Sequence, residues 1–568
     1  MLLRTLLFIT ANLRLTFGLW PIPRTLETGS TLLKLADSFD FVNVDDAPQD
    51  LIDAVSRAKI LLRNDKLQRL VPDRGESDRD ALGDAQTLPG LKLSLVEDAP
   101  PVRSIATEST DDIQFRSEGY SLSVPADGSA ASITANTTLG LFRGLTTFGQ
   151  LWYDLDGTTY TTVAPVTIVN DAPAFPHRGF MLDTSRHFFP VSDIKRMLDA
   201  MSWVKMSTFH WHITDAQSWP LGISEFPELA QKGAYSAEEK FSPDDIQDIV
   251  TYAATRGIDE IDNPGHTSSI GDSHPEHMAC FQNTTTAGQI RIASDAAVNF
   301  TLNVLSSVAK TLPSKFFATG GDEVDEDCYA QDEETQQELS SSGRTLEEAL
   351  GDFVDATHEM LRGIGKTPVV WEEMVLDHNI TLKNDTVAML VSFNSLDDTV
   401  SDSYLYRVWR SSENAASVVA RNIRIVHAPS DYFYLDCGGG GWVGFDSWCD
   451  PFKNWLRAYT FDPYANITSE QQHLVLGGQQ LLWAEQSGPE NLDPIVWPRA
   501  ASSAEVFWTG AVLPDGTPRI AGVEGNVTTK ANLLARMHDI RERLVRRGVR
   551  AINIQPKWCA LRPERCTP

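Results

Sequence analysis

From about Pro176 onward the chain repeats one pattern, a short β-rich run followed by an amphipathic helical stretch. The runs are RGFMLDTS, TFHWHITD, GIDEID, FFATGGDE, TPVVWEE, TVAML, IRIVHAP and LVLGGQQLLWAE, eight in all. Eight strand–helix repeats are the count of a closed parallel barrel, so residues 173–568 are expected to form a (β/α)8 barrel with a C-terminal extension. Nearly every run ends in polar or aromatic residues: Asp183, Asp215, Asp262, Asp322 with Glu323, Trp371 with Glu372, Trp483 with Glu485. Packing wants apolar side chains there. In a parallel barrel those ends form the mouth where catalytic groups collect.

The region ahead of the barrel has a different texture. Within residues 91–172, LKLSLVE, YSLSV, ASITA and PVTIV read as strands. Leu141, Leu145, Phe148 and Leu151 recur at helical spacing between Leu139 and Trp152. This predicts a small α/β domain. Residues 20–90 are mixed, with charges crowded from Arg63 to Arg79, and are expected to be a pro-segment or loosely organised lead-in. Residues 1–19 have signal-peptide order, Arg4 preceding the apolar stretch Leu6 to Ala11, although Arg14 follows closely and no small-x-small cleavage site is evident.

Composition narrows the partners. Lys plus Arg is 48 and Asp plus Glu is 77, for a net charge of −29 over 568 residues. That excludes a broad nucleic-acid surface and a polybasic membrane anchor. No apolar run reaches the ~18 residues of a membrane-spanning helix. Seven N-x-S/T sequons, beginning at Asn136, Asn283, Asn299, Asn379, Asn384, Asn466 and Asn526, fit a secreted, extracellular protein. So do the six cysteines. Eleven residues separate Cys437 from Cys449 and six separate Cys559 from Cys566, leaving Cys280 and Cys328. Three disulfides are expected, the connectivity staying open and buried free thiols being the alternative. There is no CxxC pair and no cysteine–histidine cluster to suggest zinc.

The strongest chemical signal is FATGGDEV, in which an apolar run and a Gly-Gly pair lead into Asp322 and Glu323. Two neighbouring carboxylates on a strand face opposite ways, but where the chain turns both can reach one cavity. The second signal is HWHITDAQSWP. His210 and His212 have the spacing of a metal pair, but a metal hydrolase would need further ligands, and an Asp–His–Glu relay accounts for the histidine better. No metal and no cofactor are called for. Third, Trp371, Trp409, Tyr434, Trp442 and Trp483 lie near strand ends, interleaved with Asp436 and Glu485. Aromatic faces beside carboxylates suit a sugar, which offers C–H faces and hydroxyl rims.

RGFMLDTSRHF, HWHITDAQSWPL, EIDNPGHT, TGGDEV, VVWEEM, DYFYLDCG and VLGGQQLLWAEQ together resemble glycoside hydrolase family 20, the β-N-acetylhexosaminidases, and among them the secreted enzymes of filamentous fungi. The resemblance runs over roughly residues 90–560. It implies a small α/β domain before a (β/α)8 barrel and exo-acting retaining hydrolysis assisted by the substrate's own 2-acetamido group. It makes Glu323 the general acid and then base. Asp322 would orient the acetamido group, Tyr434 would donate to its oxygen, and His266 with Asp215 would form the relay behind Glu323. Arg178, Asp436 and Glu485 would hold ring hydroxyls, with Trp371, Trp409 and Trp483 as walls. The partner implied is an N-acetylated oligosaccharide, and members of that family commonly pair as homodimers.

Two stretches depart from the family pattern. RGIDEID lacks about three apolar residues, which predicts a third strand near the lower end of strand length, with the facing of its side chains reversed. Residues 391–407 separate TVAML from the region of Trp409. These departures keep a second reading open, a catalytically impaired barrel that binds N-acetylated sugars. A glycosidase of other specificity with a protein nucleophile is a third.

Overall fold

A computed structural model describes residues 18–263, 268–281, 288–390, 413–441, 444–445, 447, 449–520 and 527–566. The first sheet has six strands: β1 (Glu27–Val42), β2 (Gln86–Leu95), β3 (Tyr120–Val124), β4 (Ala131–Ala135), β5 (Tyr153–Leu155) and β6 (Thr158–Asp171). Their order is β1-β2-β4-β3-β6-β5, with β1 also pairing β6. This corrects the reading of residues 20–90 as a lead-in. β1 and β2 are members of the sheet, and Leu33, Leu51 and Leu88 are fully buried in its core. The alternation of charge and apolar residue along β1 hid a strand that presents one face to solvent. Residues 1–17 lie outside the described residues, while Leu19 and Trp20, just beyond them, are buried.

The second sheet holds the eight expected runs as parallel strands: β7 (His177–Asp183), β8 (Thr208–His212), β9 (Asp259–Asn263), β12 (Phe316–Ala318), β13 (Thr367–Trp371), β14 (Val387–Leu390), β15 (Arg424–His427) and β16 (Val475–Leu482). A small hairpin, β10 (Met278–Ala279) with β11 (Gln289–Ile290), interrupts the run between β9 and β12. All seven residues of β7 are buried, as a strand covered on both faces requires. Helix starts are written locally. Ser242 and Asp245 cap helix Pro243–Ala254 reciprocally, and Thr345 and Glu348 do the same for helix Leu346–Gly363.

The third strand is five residues long and pairs with β8 throughout, Thr208 opposite Asp259 and His212 opposite Asn263. Met181, His210 and Ile261 share one register line; Phe180, Phe209 and Glu260 share the next. Phe180 and Phe209 pack in the cluster that includes Ile194 and Met197 of helix Val191–Trp203, so a carboxylate occupies a helix-facing position. Asp259 is buried as well, and burial pushes its carboxyl up to about 6. Among the described residues β9 and β12 share no ladder, and Ser314 Oγ donates to Asp259 Oδ2 across that seam at 3.1 Å. Residues 391–412 lie outside the described residues.

Three disulfides close in sequential order, Cys280–Cys328, Cys437–Cys449 and Cys559–Cys566. No described helix is long and apolar enough to cross a membrane.

Candidate active site

The Asp-Glu turn is built by β12 and β13 together. After β12 ends, Thr319 N donates to Val369 O at 2.8 Å and Trp371 N to Gly320 O at 3.1 Å, so the turn stays pinned to the neighbouring strand. Gly320 and Gly321 have φ of +70° and +104°. A Cβ on Gly321 would stand 2.3 Å from Met374 Cγ, which closes that position to any side chain. Glu323 is exposed and itself holds φ of +55°, a left-handed conformation uncommon outside glycine and kept where surrounding structure enforces it. Gln289 Nε2 of β11 reaches the Glu323 carbonyl at 3.4 Å.

Facing this turn is an aromatic wall. Trp371 ends β13 and is 3% exposed. The Trp371 and Trp483 ring centroids are 6.3 Å apart, and Tyr434 and Trp483 stand at the same separation. Tyr434 sits on an isolated bridge to Leu481, and Leu435 N donates to Leu481 O at 2.8 Å, so β16 sets its place. Burial pushes the Tyr434 phenol well above its ordinary range, with Asp436, Asp322 and Glu373 adding to the rise. The hydroxyl is therefore a donor at any working pH.

The polar rim is a knot around one arginine, Arg186. Its Nη1 lies 3.1 Å from Asp183 Oδ2 and 3.1 Å from Asp215 Oδ2, and its Nη2 lies 3.9 Å from Glu485 Oε1. The guanidinium stands 5.2 Å from the Trp483 ring centre. Asp183 fixes the knot, accepting from Ser185 N at 2.9 Å and Ala484 N at 3.0 Å, which ties β7 to the end of β16. Asp215 Oδ2 is 2.5 Å from His212 Nε2. Burial lifts Glu485 against the pull of Arg186. It also takes Asp436 to about 7, with Glu485 adding repulsion.

Two expectations meet the geometry differently. Arg178 does not face the site. It begins β7, at the opposite end of the barrel, where Nη2 pairs with Glu118 at 2.5 Å and the guanidinium also donates to Lys205 O and Phe175 O. Strand direction explains the correction, because a residue that opens a parallel barrel strand lies at the bottom and one just past its end lies at the mouth. Arg186, in the same RGFMLDTSRHF motif, is the arginine at the mouth. The relay expected of Asp215 and His266 is described only in part. Asp215 meets His212 and Arg186, and His266 lies outside the described residues, as do Trp409 and Trp442. His210, the other half of the HxH pair, accepts from Gln479 Nε2 at 2.9 Å and is held well below its ordinary range by burial, as a neutral core ring.

Glu373 was not singled out by sequence. Burial first, then Asp322 and Glu372, push its carboxyl up to about 9. The second acid of VVWEEM was its only signal.

The chain matches the model of the glycosyl hydrolase family 20 catalytic domain over residues 175–511, and residues 19–151 match a domain described as beta-acetyl hexosaminidase like. A beta-hexosaminidase of Arthroderma benhamiae is 33% identical over 476 residues, covering 79% of this chain and 74% of that protein. A chitooligosaccharidolytic beta-N-acetylglucosaminidase of Bombyx mori is 30% identical over 570 residues, covering 95% and 87%. The exo beta-N-acetylglucosaminidase of Vibrio harveyi, solved with N-acetylglucosamine, superposes with a TM-score of 0.70 at 22% identity, covering 95% of this chain and 78% of that one. The chain belongs to glycosyl hydrolase family 20.

Proposed function

We propose that the protein is an exo-acting β-N-acetylhexosaminidase that removes terminal, non-reducing β-linked N-acetylglucosamine or N-acetylgalactosamine from chitin oligosaccharides and glycans, and that it works outside the cell. Family membership supports the activity; the sequons and the three disulfides support secretion. The observation that supports the mechanism is the Asp322–Glu323 turn, held to Trp371 through Gly320 O, with Asp322 within electrostatic reach of Tyr434 and Glu373.

In this reading the 2-acetamido carbonyl oxygen of the bound sugar attacks C1 while Glu323 protonates the leaving oxygen. The C1–O bond breaks, an oxazolinium forms, and the released aglycone leaves. Glu323, now a carboxylate, takes a proton from water as that water opens the ring from the same face, so configuration is retained. Asp322 accepts the acetamido N–H and favours the positive charge that grows there. The Tyr434 hydroxyl donates to the attacking oxygen. Arg186, with Asp436 and Glu485, holds the ring hydroxyls. Glu373, its carboxyl raised by burial to about 9, adds no second full charge beside Asp322.

Hydrolysis of a chromogenic N-acetyl-β-glucosaminide, with inhibition by a thiazoline analogue of the intermediate, is the expected result. Hydrolysis that ignores the thiazoline would reject substrate assistance. Sugar binding without hydrolysis by the folded chain would instead establish the impaired barrel.

A further inference from the structure

Between β9 and β10 the chain passes through the sequence His274-Pro275-Glu276-His277. Residues Pro275–His277 form a 3-10 turn. Three residues per turn eclipse positions three apart, so the two imidazoles stand on one side of it. Their rings lie 5.9 Å apart at 22°, and both rest on Phe300 of helix Asp295–Thr311, at 4.5 Å and 4.7 Å. Ligand atoms of His274, Glu276 and His277 all fall within 4.8 Å of one another. A second carboxylate comes from another element: Glu228 Oε1, on helix Pro227–Gly233, is 3.4 Å from His274 Nε2.

His274 has a carboxylate at each ring nitrogen, which favours positive charge there. Its Nδ1 faces Glu276 Oε1 at 3.2 Å while its Nε2 faces Glu228. A neutral imidazole carries one N–H and one lone pair, so one of these contacts sets a lone pair against a carboxylate. A second ring proton removes that conflict, and so does an ion between Nδ1 and the Glu276 carboxylate. Two imidazoles with carboxylate oxygens are a donor set suited to zinc-class ions. Donors about 2.0–2.2 Å from such an ion stand about 3.3–3.5 Å from each other, so atoms now within 4.8 Å have little more than about 1 Å to close.

We propose that His274, through Nδ1, with His277 and Glu276 binds one zinc-class divalent cation apart from the sugar site, Glu228 accepting from the other ring nitrogen of His274 and so fixing that ring. The ion, with the contact from Glu228 to His274, would fix helix Pro227–Gly233 against the turn that enters the β10–β11 hairpin. That hairpin is held at Cys280 by the bond to Cys328, and its Gln289 touches the Glu323 backbone. The role is a brace on the loop beside the general acid, with no part in bond breaking.

The test is calorimetric titration of the metal-stripped full chain with Zn2+, beside thermal unfolding with and without the ion. One Zn2+ per chain and a raised unfolding temperature are expected. Both should be lost in His274→Gln/His277→Gln, with affinity down at least about tenfold. The pair Glu228→Gln/Glu276→Gln reads the same site through side chains that are 37% and 61% exposed, and so does not depend on the histidine variant folding. No uptake by the stripped protein, or unchanged affinity in either variant, overturns the proposal.

Discussion

The two ends of the barrel solve opposite electrostatic problems. At the bottom, against the small domain, one carboxylate sits among three guanidiniums: Glu118 lies 2.5 Å from Arg178, 2.8 Å from Arg143 and 3.8 Å from Arg116. Burial alone would raise it, yet the three cations hold Glu118 down to about 2. At the mouth the ratio is inverted. Asp183, Asp215 and Glu485 gather around Arg186, and the carboxyls beyond it, Asp436 and Glu373, are driven up to about 7 and about 9. At the bottom each of the three guanidiniums has Glu118 as its counter-ion. At the mouth, burial and neighbouring like charge keep protons on Asp436 and Glu373, groups that a polyhydroxylated ligand can hydrogen-bond. Stability is invested at one end and reactivity at the other.

The sharpest separation of the two ends comes from isosteric loss of one carboxylate at each. Glu323→Gln at the mouth should lower turnover by about 10² to 10⁴ while leaving the unfolding transition in place. Near-normal turnover would remove Glu323 from the mechanism. Glu118→Gln at the bottom should do the reverse. Three buried guanidiniums lose their counter-ion, and breaking a buried ion cluster costs about 3–5 kcal/mol. Denaturant melts would read that loss, and the KM of the folded fraction should not change. A change in KM from Glu118→Gln would show that the ends are coupled.

How far the sequence revealed this division depended on strand direction. The runs around the barrel were readable because each apolar core ended in a chemically odd residue, and family likeness assigned most of those residues. Arg178 and Arg186 share one motif, and only their places at the start and past the end of β7 separate the bottom from the mouth. Residues 27–90 were read as a lead-in for a different reason. β1 has one wet face and a parallel partner, β2, that begins more than forty residues downstream, so no local hairpin signal announces it. Asp259 and Glu260 sit where a barrel strand is ordinarily apolar, and no periodicity argument would bury them. The histidine pair at 274 and 277 gave no sequence signal of its own, because Glu228, the carboxylate against His274, comes from a separate helix upstream.

The arginine assignment can be tested next. Arg186→Ala should lower kcat/KM by about ten- to a hundredfold, the worth of a charged hydrogen bond to substrate. Arg178→Ala should leave kcat/KM of the folded enzyme in place and lower the unfolding midpoint instead. An exchange of these outcomes would restore Arg178 to the site. Acidity should also move the ends in opposite senses. Glu118 is depressed, so its contribution is full above its unfolded value near 4.5 and is lost as pH falls toward about 2. Asp436 is raised, so the folded chain binds more protons than the unfolded one between about 4 and about 7. Stability drawn from the mouth therefore falls as pH rises through that window. Asp436→Asn should flatten that fall in melting temperature against pH and leave the loss below pH 4 untouched. A fall of undiminished slope would place the proton elsewhere.

The smallest effect is the most discriminating. If Glu373 is held as a neutral acid beside an ionised Asp322, a glutamine in its place reproduces its charge, its shape and its capacity to donate. Glu373→Gln should then keep turnover on an N-acetyl-β-glucosaminide within about twofold, since little of the ~1.4 kcal/mol that a tenfold change represents would be lost. Glu373→Ala should cost more, because Asp322 would lose a buried neighbour and the cavity would admit water. The pH profile separates charge from shape. With the native acid, the alkaline limb near pH 9 should carry a loss as Glu373 ionises against Asp322, and Glu373→Gln should extend activity on that limb. If Glu373→Gln instead abolishes activity while Asp322 is intact, the proton on Glu373 is being transferred rather than merely kept, and the mouth would then hold a second acid that acts on the substrate.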